Sequence, residues 1–145
     1  MRRVSGGTYG TIRAHRGRDR TERALLAAGD ADEAVEISSA ALTHAPEHPL
    51  LLVQLGASLL DAGRPVDARV HLEKAVRLAP EFVLARRNLA TALIQLEAFD
   101  PALDLLRPLV NAEPRSVELL QLAAAALSAT GQHARAKPAA QRILE

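Results

Sequence analysis

The sequence predicts an all-α chain, an α-solenoid of about four helix-turn-helix units laid one on the next. Three observations predict it. Pro46, Pro80 and Pro114 stand 34 residues apart, and Ala34, Ala68, Ala102 and Ala136 keep the same spacing. Gly29, Gly63 and Gly131 fall on that ruler too, with Glu97 in the remaining slot. Within a unit the apolar residues recur at helical spacing. A fixed period of this size marks a repeat architecture in which each unit buries its apolar face against its neighbours.

The units divide as 15–48, 49–82, 83–116 and 117–145. In the first, Gly17 and the dense arginines oppose an early helix, so its first helix is expected to start near Asp19–Thr21 and to stop at Gly29. Its second helix carries Ala34, Val35, Ile37, Ala41 and Leu42. Asp30, Asp32 and Glu33 are expected at that helix's start, where carboxylates favour the dipole.

Unit 49–82 is the most regular. Leu52, Leu55, Gly56 and Leu59 fall at i, i+3, i+4 and i+7, one face of a helix. Gly63 suits a left-handed cap, and Pro65 suits the first helical position, where its missing N–H costs nothing. Ala68, Leu72, Ala75 and Val76 form the second stripe, which Pro80 ends.

Unit 83–116 repeats the pattern with Leu89, Ala90 and Leu93, then Ala102, Leu106 and Leu109. Asp100 is expected as N-cap and Pro101 at the first helical position. This unit departs from the pattern at Arg86, in a large apolar slot, and at Glu97, in the glycine slot. Pro108 is expected to kink the second helix near Asp104. Unit 117–145 has Ala123, Ala124, Leu127, Gly131 and Ala136, with Pro138 near the start of its last helix. That helix, with Ala139, Ala140 and Ile143, meets no further helix. Three readings of the open face compete: a piece of a larger protein, pairing there with itself or a partner, or a frayed last helix, and the first two are favoured.

Small residues have a packing reason. Gly56, Ala90 and Ala124 share one slot on the first helices, and Ala34, Ala68, Ala102 and Ala136 share one on the second. A large side chain at a close helix crossing would drive the helices apart.

Leu52-x2-Leu55-Gly56-x2-Leu59, followed by Ala68-x3-Leu72 and Pro80, resembles the tetratricopeptide repeat, with Leu in place of the usual Trp and Tyr. The resemblance covers roughly residues 15–145. It implies a right-handed superhelical stack, with a domain over 19–145 after an arm of residues 1–18. It also implies a concave groove, lined by the first helices, that takes an extended peptide or a helix. Placed on this chain, the groove holds Leu50, Val53, Gln54, Ala57 and Leu60, then Leu84, Arg87, Asn88, Thr91 and Gln95, then Glu118, Gln121, Ala125 and Ser128. One subclass clamps a C-terminal carboxylate with Lys, Arg and Asn. Here only Asn88 matches: the other clamp slots fall on Val53, Ala57, Glu118 and Leu122 when units 2–4 are used, and on Asp19, Arg23, Gln54 and Leu84 starting from unit 1, so no such clamp is expected.

Composition narrows the function. Of 145 residues, 48% are apolar and 24% charged, ordinary globular values. There is no Cys, which removes disulfides, a thiolate nucleophile and the usual zinc sites. Aromatics are only 2%, which disfavours a nucleic-acid binder built on stacking. The arm is basic: residues 1–20 hold six Arg against one acid, net +5, while the rest holds twelve bases and sixteen acids, net −4. With Gly6, Gly7 and Gly10 and no apolar period, it is expected to be disordered. Nucleic acid or an anionic membrane would be reached only through it. Val4-Ser5-Gly6-Gly7-Thr8 is no signal-peptide apolar region, and no apolar run approaches a membrane span, so a cytoplasmic address is expected.

No catalytic constellation emerges. His44 and His48 have metal-pair spacing, but Pro46 breaks the helix that the spacing needs. His15, His71 and His133 stand alone. Ser5-Gly6-Gly7-Thr8 lacks the Lys of a phosphate loop, and there is no G-x-S-x-G. The expectation is a non-catalytic protein–protein interaction scaffold with no metal and no cofactor. The alternative is an accessory segment of a larger bacterial enzyme, such as a transferase, or an assembly factor.

Overall fold

The computed structural model describes the backbone of residues 20–131 and the side chains of residues 29–131. Over that span the chain forms six helices and no strand: α1 (Arg20–His44), α2 (Pro49–Asp61), α3 (Pro65–Leu78), α4 (Val83–Gln95), α5 (Phe99–Ala112) and α6 (Val117–Ala129). The arm and the helix expected at the end of the fourth unit, with Ala136, Pro138, Ala139, Ala140 and Ile143, fall outside the described residues, as do His15 and His133.

Each helix packs on the next in chain order, and α2 and α3 form the most intimate pair. The joints repeat as the sequence does. Between units, an amide donates to a carbonyl three residues back at His48 to Ala45, Phe82 to Ala79 and Ser116 to Glu113, at 3.0–3.2 Å. Each pair is the previous one moved by 34 residues. Within units, Gly63 N–H donates to Leu60 and Arg64 N–H to Leu59, at 3.0 and 2.8 Å. This 5→2 and 6→1 pattern needs a left-handed residue after the helix, and Gly63 supplies it at φ 75°. In the next unit, Glu97 donates to Ile94 and Ala98 to Leu93 at the same distances. There the left-handed residue, at φ 61°, is Glu97. The fold therefore imposes the turn even where the residue resists it, at roughly 1–2 kcal/mol for a side chain with a Cβ.

Two joints differ from the sequence expectation. Gly29 does not stop a helix. It is helical, and α1 runs unbroken for 25 residues, so residues 20–44 are one helix and not a hairpin. The physical reason is local. Asp30-Ala31 after Gly29 are residues that a helix accepts, and Gly29 keeps the helical backbone where Gly63, Glu97 and Gly131 on the same ruler are left-handed. Asp30, Asp32 and Glu33 accordingly sit inside α1, away from the helix start assigned to them. The second difference concerns Asp100. The N-cap of α5 is Ala98, the equivalent of Arg64, and the helix begins at Phe99. Asp100 lies in the first turn, still favourable to the dipole, and Pro101 is tolerated because the first four amides have no helical acceptor. α5 continues through Pro108, which lacks the amide that would reach the Asp104 carbonyl.

The core follows the two stripes. Leu52, Val53, Leu72, Leu106 and Leu120 are the largest fully buried side chains. Gly56, Ala68, Ala90 and Ala102 are buried, as a packing demand at those recurring slots requires, while Ala34 and Ala124 in the same slots are half-buried. No buried polar residue occurs among the described residues. Surface ion pairs such as Arg64–Asp67 at 2.8 Å are half exposed and contribute little. Lys74 Nζ donates to the Pro46 carbonyl at 3.2 Å and ties unit 2 to the turn before it.

Candidate peptide-binding groove

Besides their hairpin partners, α2 touches α4 and α4 touches α6. The first helices thus form a continuous inner row, and side chains pointing away from the second helices line it. On that row Arg87 of α4 reaches Glu118 of α6, Nη1 to Oε2 at 2.5 Å, across 31 residues of chain. The Thr91 hydroxyl donates back to the Arg87 carbonyl at 3.1 Å, one turn below. Together with Gln121 and Leu122 these residues line a depression of about 350 Å³. It offers an ion pair at one end, an amide in the middle and an apolar wall.

Of the residues assigned to the groove, the structure brings Arg87, Thr91, Glu118 and Gln121 into this depression. Gln54, Gln95, Ala125 and Ser128 are exposed, Leu50 is 42% exposed, and Asn88 and Ala57 are half-buried. Val53 is a correction. It is 1% exposed and belongs to the core, because it faces the packed neighbours of α2 and not the open row. Leu60 and Leu84 are half-buried and pack on the same core cluster. Leu122, considered only as a clamp slot, is the apolar wall. Its signal was its alignment with Gln54 and Asn88 at multiples of the period.

The opposite side carries two clefts that the sequence reading did not assign. One lies between α1 and α3, lined by Val35, Ser39, Leu55, Leu59, Arg64, Asp67, Val70 and His71. The other lies between α3 and α5, lined by Arg69, Glu73, Leu89, Leu93, Pro101, Asp104 and Leu105. Arg64 apart, every member of the first has its partner 34 residues on in the second. The leucine floor is kept and the rim is not. In the first cleft, burial pushes the His71 imidazole below its ordinary value, against the pull of Asp67 and with a smaller push from Lys74.

His44 ends α1 and His48 caps α2, so the intervening turn separates them as Pro46 implied. Among the described residues no three His, Cys, Asp or Glu side chains gather closely enough to hold a metal ion. Among the same residues no helix is long and apolar enough to cross a membrane.

Comparison with known proteins settles the architecture. The sequence model of the tetratricopeptide repeat matches residues 25–69 and 59–127. The chain belongs to the tetratricopeptide repeat family. Curated relatives of this repeat chain include the peroxisomal targeting signal receptor of Candida albicans, 35% identical over 71 residues. The receptor of the same name from Saccharomyces cerevisiae is 34% identical over 73 residues. These matches take in 49% and 50% of the chain, which spans only 12% of the length of either relative. Among solved structures, MamA from Desulfovibrio magneticus (residue 41 to the end) superposes with a TM-score of 0.74 at 24% identity, covering 85% of the chain and 69% of MamA. A second MamA structure gives 0.72 at 23% identity over 88% and 74%. At that identity the likeness concerns the stacked-hairpin fold, which the six helices of this tetratricopeptide chain share.

Proposed function

We propose that the chain is a non-catalytic protein–protein interaction scaffold that holds a peptide or helix along its row of first helices. The observation that carries this reading is the depression at Arg87, Thr91, Glu118, Gln121 and Leu122, where two units jointly present charge, amide and apolar surface. A ligand there gains from both helices at once, and the stack fixes their spacing without further ordering cost. The curated relatives are named as receptors of a targeting signal, which accords with use of the repeat for recognition. The mixed polarity of the wall favours a segment with alternating apolar and polar side chains over a bare carboxylate. Across units 2–4 the remaining clamp slots carry neither Lys nor Arg, which supports the same choice.

The test is a displayed random-peptide library selected on the full chain, followed by titration of the enriched peptides. Arg87→Glu, Asn88→Ala and Gln121→Ala combined should weaken binding at least about tenfold, which is about 1.4 kcal/mol. Enriched peptides that bind the triple variant equally well would refute groove binding.

A further inference from the structure

α1 has 25 residues, whereas the other five described helices have 13 or 14. The surplus is close to one first helix. It arises because Gly29 stays helical, while Gly63 and Gly131 on the same ruler take the left-handed conformation that turns the chain. Residues 20–28 therefore run straight on from the rest of α1 and do not lie back along it.

The consequence is visible on residues 34–41. On α3 the slots at Ala68, Leu72 and Ala75 have no exposed surface, and on α5 Ala102, Leu106 and Leu109 are at most 4% exposed. The same slots on α1 are Ala34, Ser38 and Ala41, and all three are only half-buried. Ile37 is 64% exposed, while its equivalents His71 and Leu105 are half-buried. In units 2 and 3 the unit's own first helix covers this stripe. In unit 1 nothing among the described residues supplies that cover.

We propose that a second copy of this chain supplies it: residues 20–28 of each copy lie along residues 34–41 of the other, a reciprocal exchange of first helices about a two-fold axis. The surplus carries the apolar run Ala24-Leu25-Leu26-Ala27-Ala28. Its register matches the vacant slots, because Leu25 aligns with Leu59, and Leu59 shares a cleft with His71, the equivalent of Ile37. Fold-back within one chain would need a turn at Gly29-Asp30-Ala31. At that place the backbone stays helical, whereas Gly63, Glu97 and Gly131 on the same ruler are left-handed. Exchange satisfies the same contacts with α1 left straight, and it is independent of the groove on the first helices.

Light scattering on the full chain over the micromolar range should give twice the chain mass. Ile37→Glu, at a site that the fold of one copy leaves exposed, should raise the dissociation constant at least about tenfold with unchanged helicity. Asp30→Arg with Ala31→Pro, which copies the unit 2 turn, should yield a monomer. A wild type that is monomeric throughout, or a dimer that both variants leave intact, would overturn the proposal. Leu25→Cys with Ile37→Cys, in a chain with no other Cys, gives a second readout after treatment with a short bis-maleimide. A band of two linked chains on a denaturing gel is expected. A monomer linked to itself would instead show fold-back and overturn the exchange, as would the absence of any link.

Discussion

Gly56→Ala adds a single methyl group at the tightest helix crossing. A Cβ at residue 56 would stand 2.5 Å from Leu72 Cγ, 2.6 Å from Cδ2 and 3.0 Å from Cδ1. Ordinary carbon contacts lie at about 3.5–4.0 Å, so the overlap is about 1 Å with the branch carbon. Leu72 has no exposed surface and the clash reaches its branch carbon, so relief requires α2 and α3 to shift apart. Overpacking of this kind costs about 1–3 kcal/mol, and the direct clash places it near the upper end. Alanine returns about 1 kcal/mol of helix propensity. The net expectation is a loss of about 2 kcal/mol, or roughly 6–8 °C in Tm for a domain of this size. Urea titration followed by circular dichroism measures it. The decisive arm is a double-mutant cycle. Leu72→Ala alone should cost about 2–5 kcal/mol, and in that background Gly56→Ala should turn neutral or stabilising by up to about 1 kcal/mol. Stabilisation of the wild type by Gly56→Ala, or an equal cost in both backgrounds, would refute the close crossing.

Glu97→Gly should stabilise the chain by about 0.5–1 kcal/mol in the urea midpoint, since it relieves a left-handed residue that has a Cβ. Gly63→Ala, at φ 75°, should destabilise by about 1 kcal/mol in the same assay. Pro108→Ala restores an amide to the Asp104 carbonyl on an exposed position of α5 and should stabilise by about 1–2 kcal/mol, read as a rise in Tm. Because burial lowers the His71 pKa, the folded state binds its proton less readily than the unfolded chain does. The stability that His71 contributes is thus fully present above its unfolded value of 6.5 and is lost as pH falls through and below it. Unfolding midpoints at pH 8 and pH 5 should converge in His71→Gln relative to wild type; an unchanged pH difference would contradict this.

Much of the stack was legible because its signals are covalent and local. The period of Pro46, Pro80 and Pro114 fixed the inter-unit turns, and the leucines at i, i+3 and i+7 fixed which faces are buried. The left-handed cap at Gly63 came from the one residue type that adopts it without strain. Less was legible where one residue type serves two conformations. Gly29 and Gly63 are the same residue on the same ruler, yet one is helical and the other left-handed, and Gly131 turns with no proline two residues on, so neither the glycine nor the proline decides alone. Asp100 suits an N-cap and a first turn alike, and the helix starts at Phe99, one residue before it. In the groove, periodicity found the row of first helices but not its depth. Val53 and Arg87 occupy one slot in successive units, yet one is core and the other half of an ion pair across α4 and α6. Apolarity at Val53 was the available hint, and the frame alone does not weigh it.

The twin clefts between successive second helices show how this molecule separates shape from chemistry. Leu55 and Leu59, then Leu89 and Leu93, form the same mould twice, while above it Val70 and His71 give way to Asp104 and Leu105. Since the same leucine floor recurs under two different rims, the rim chemistry varies between units while the form of the joint is kept. Each cleft can therefore drift toward a new ligand on its own, and the rod becomes a row of independently editable seats.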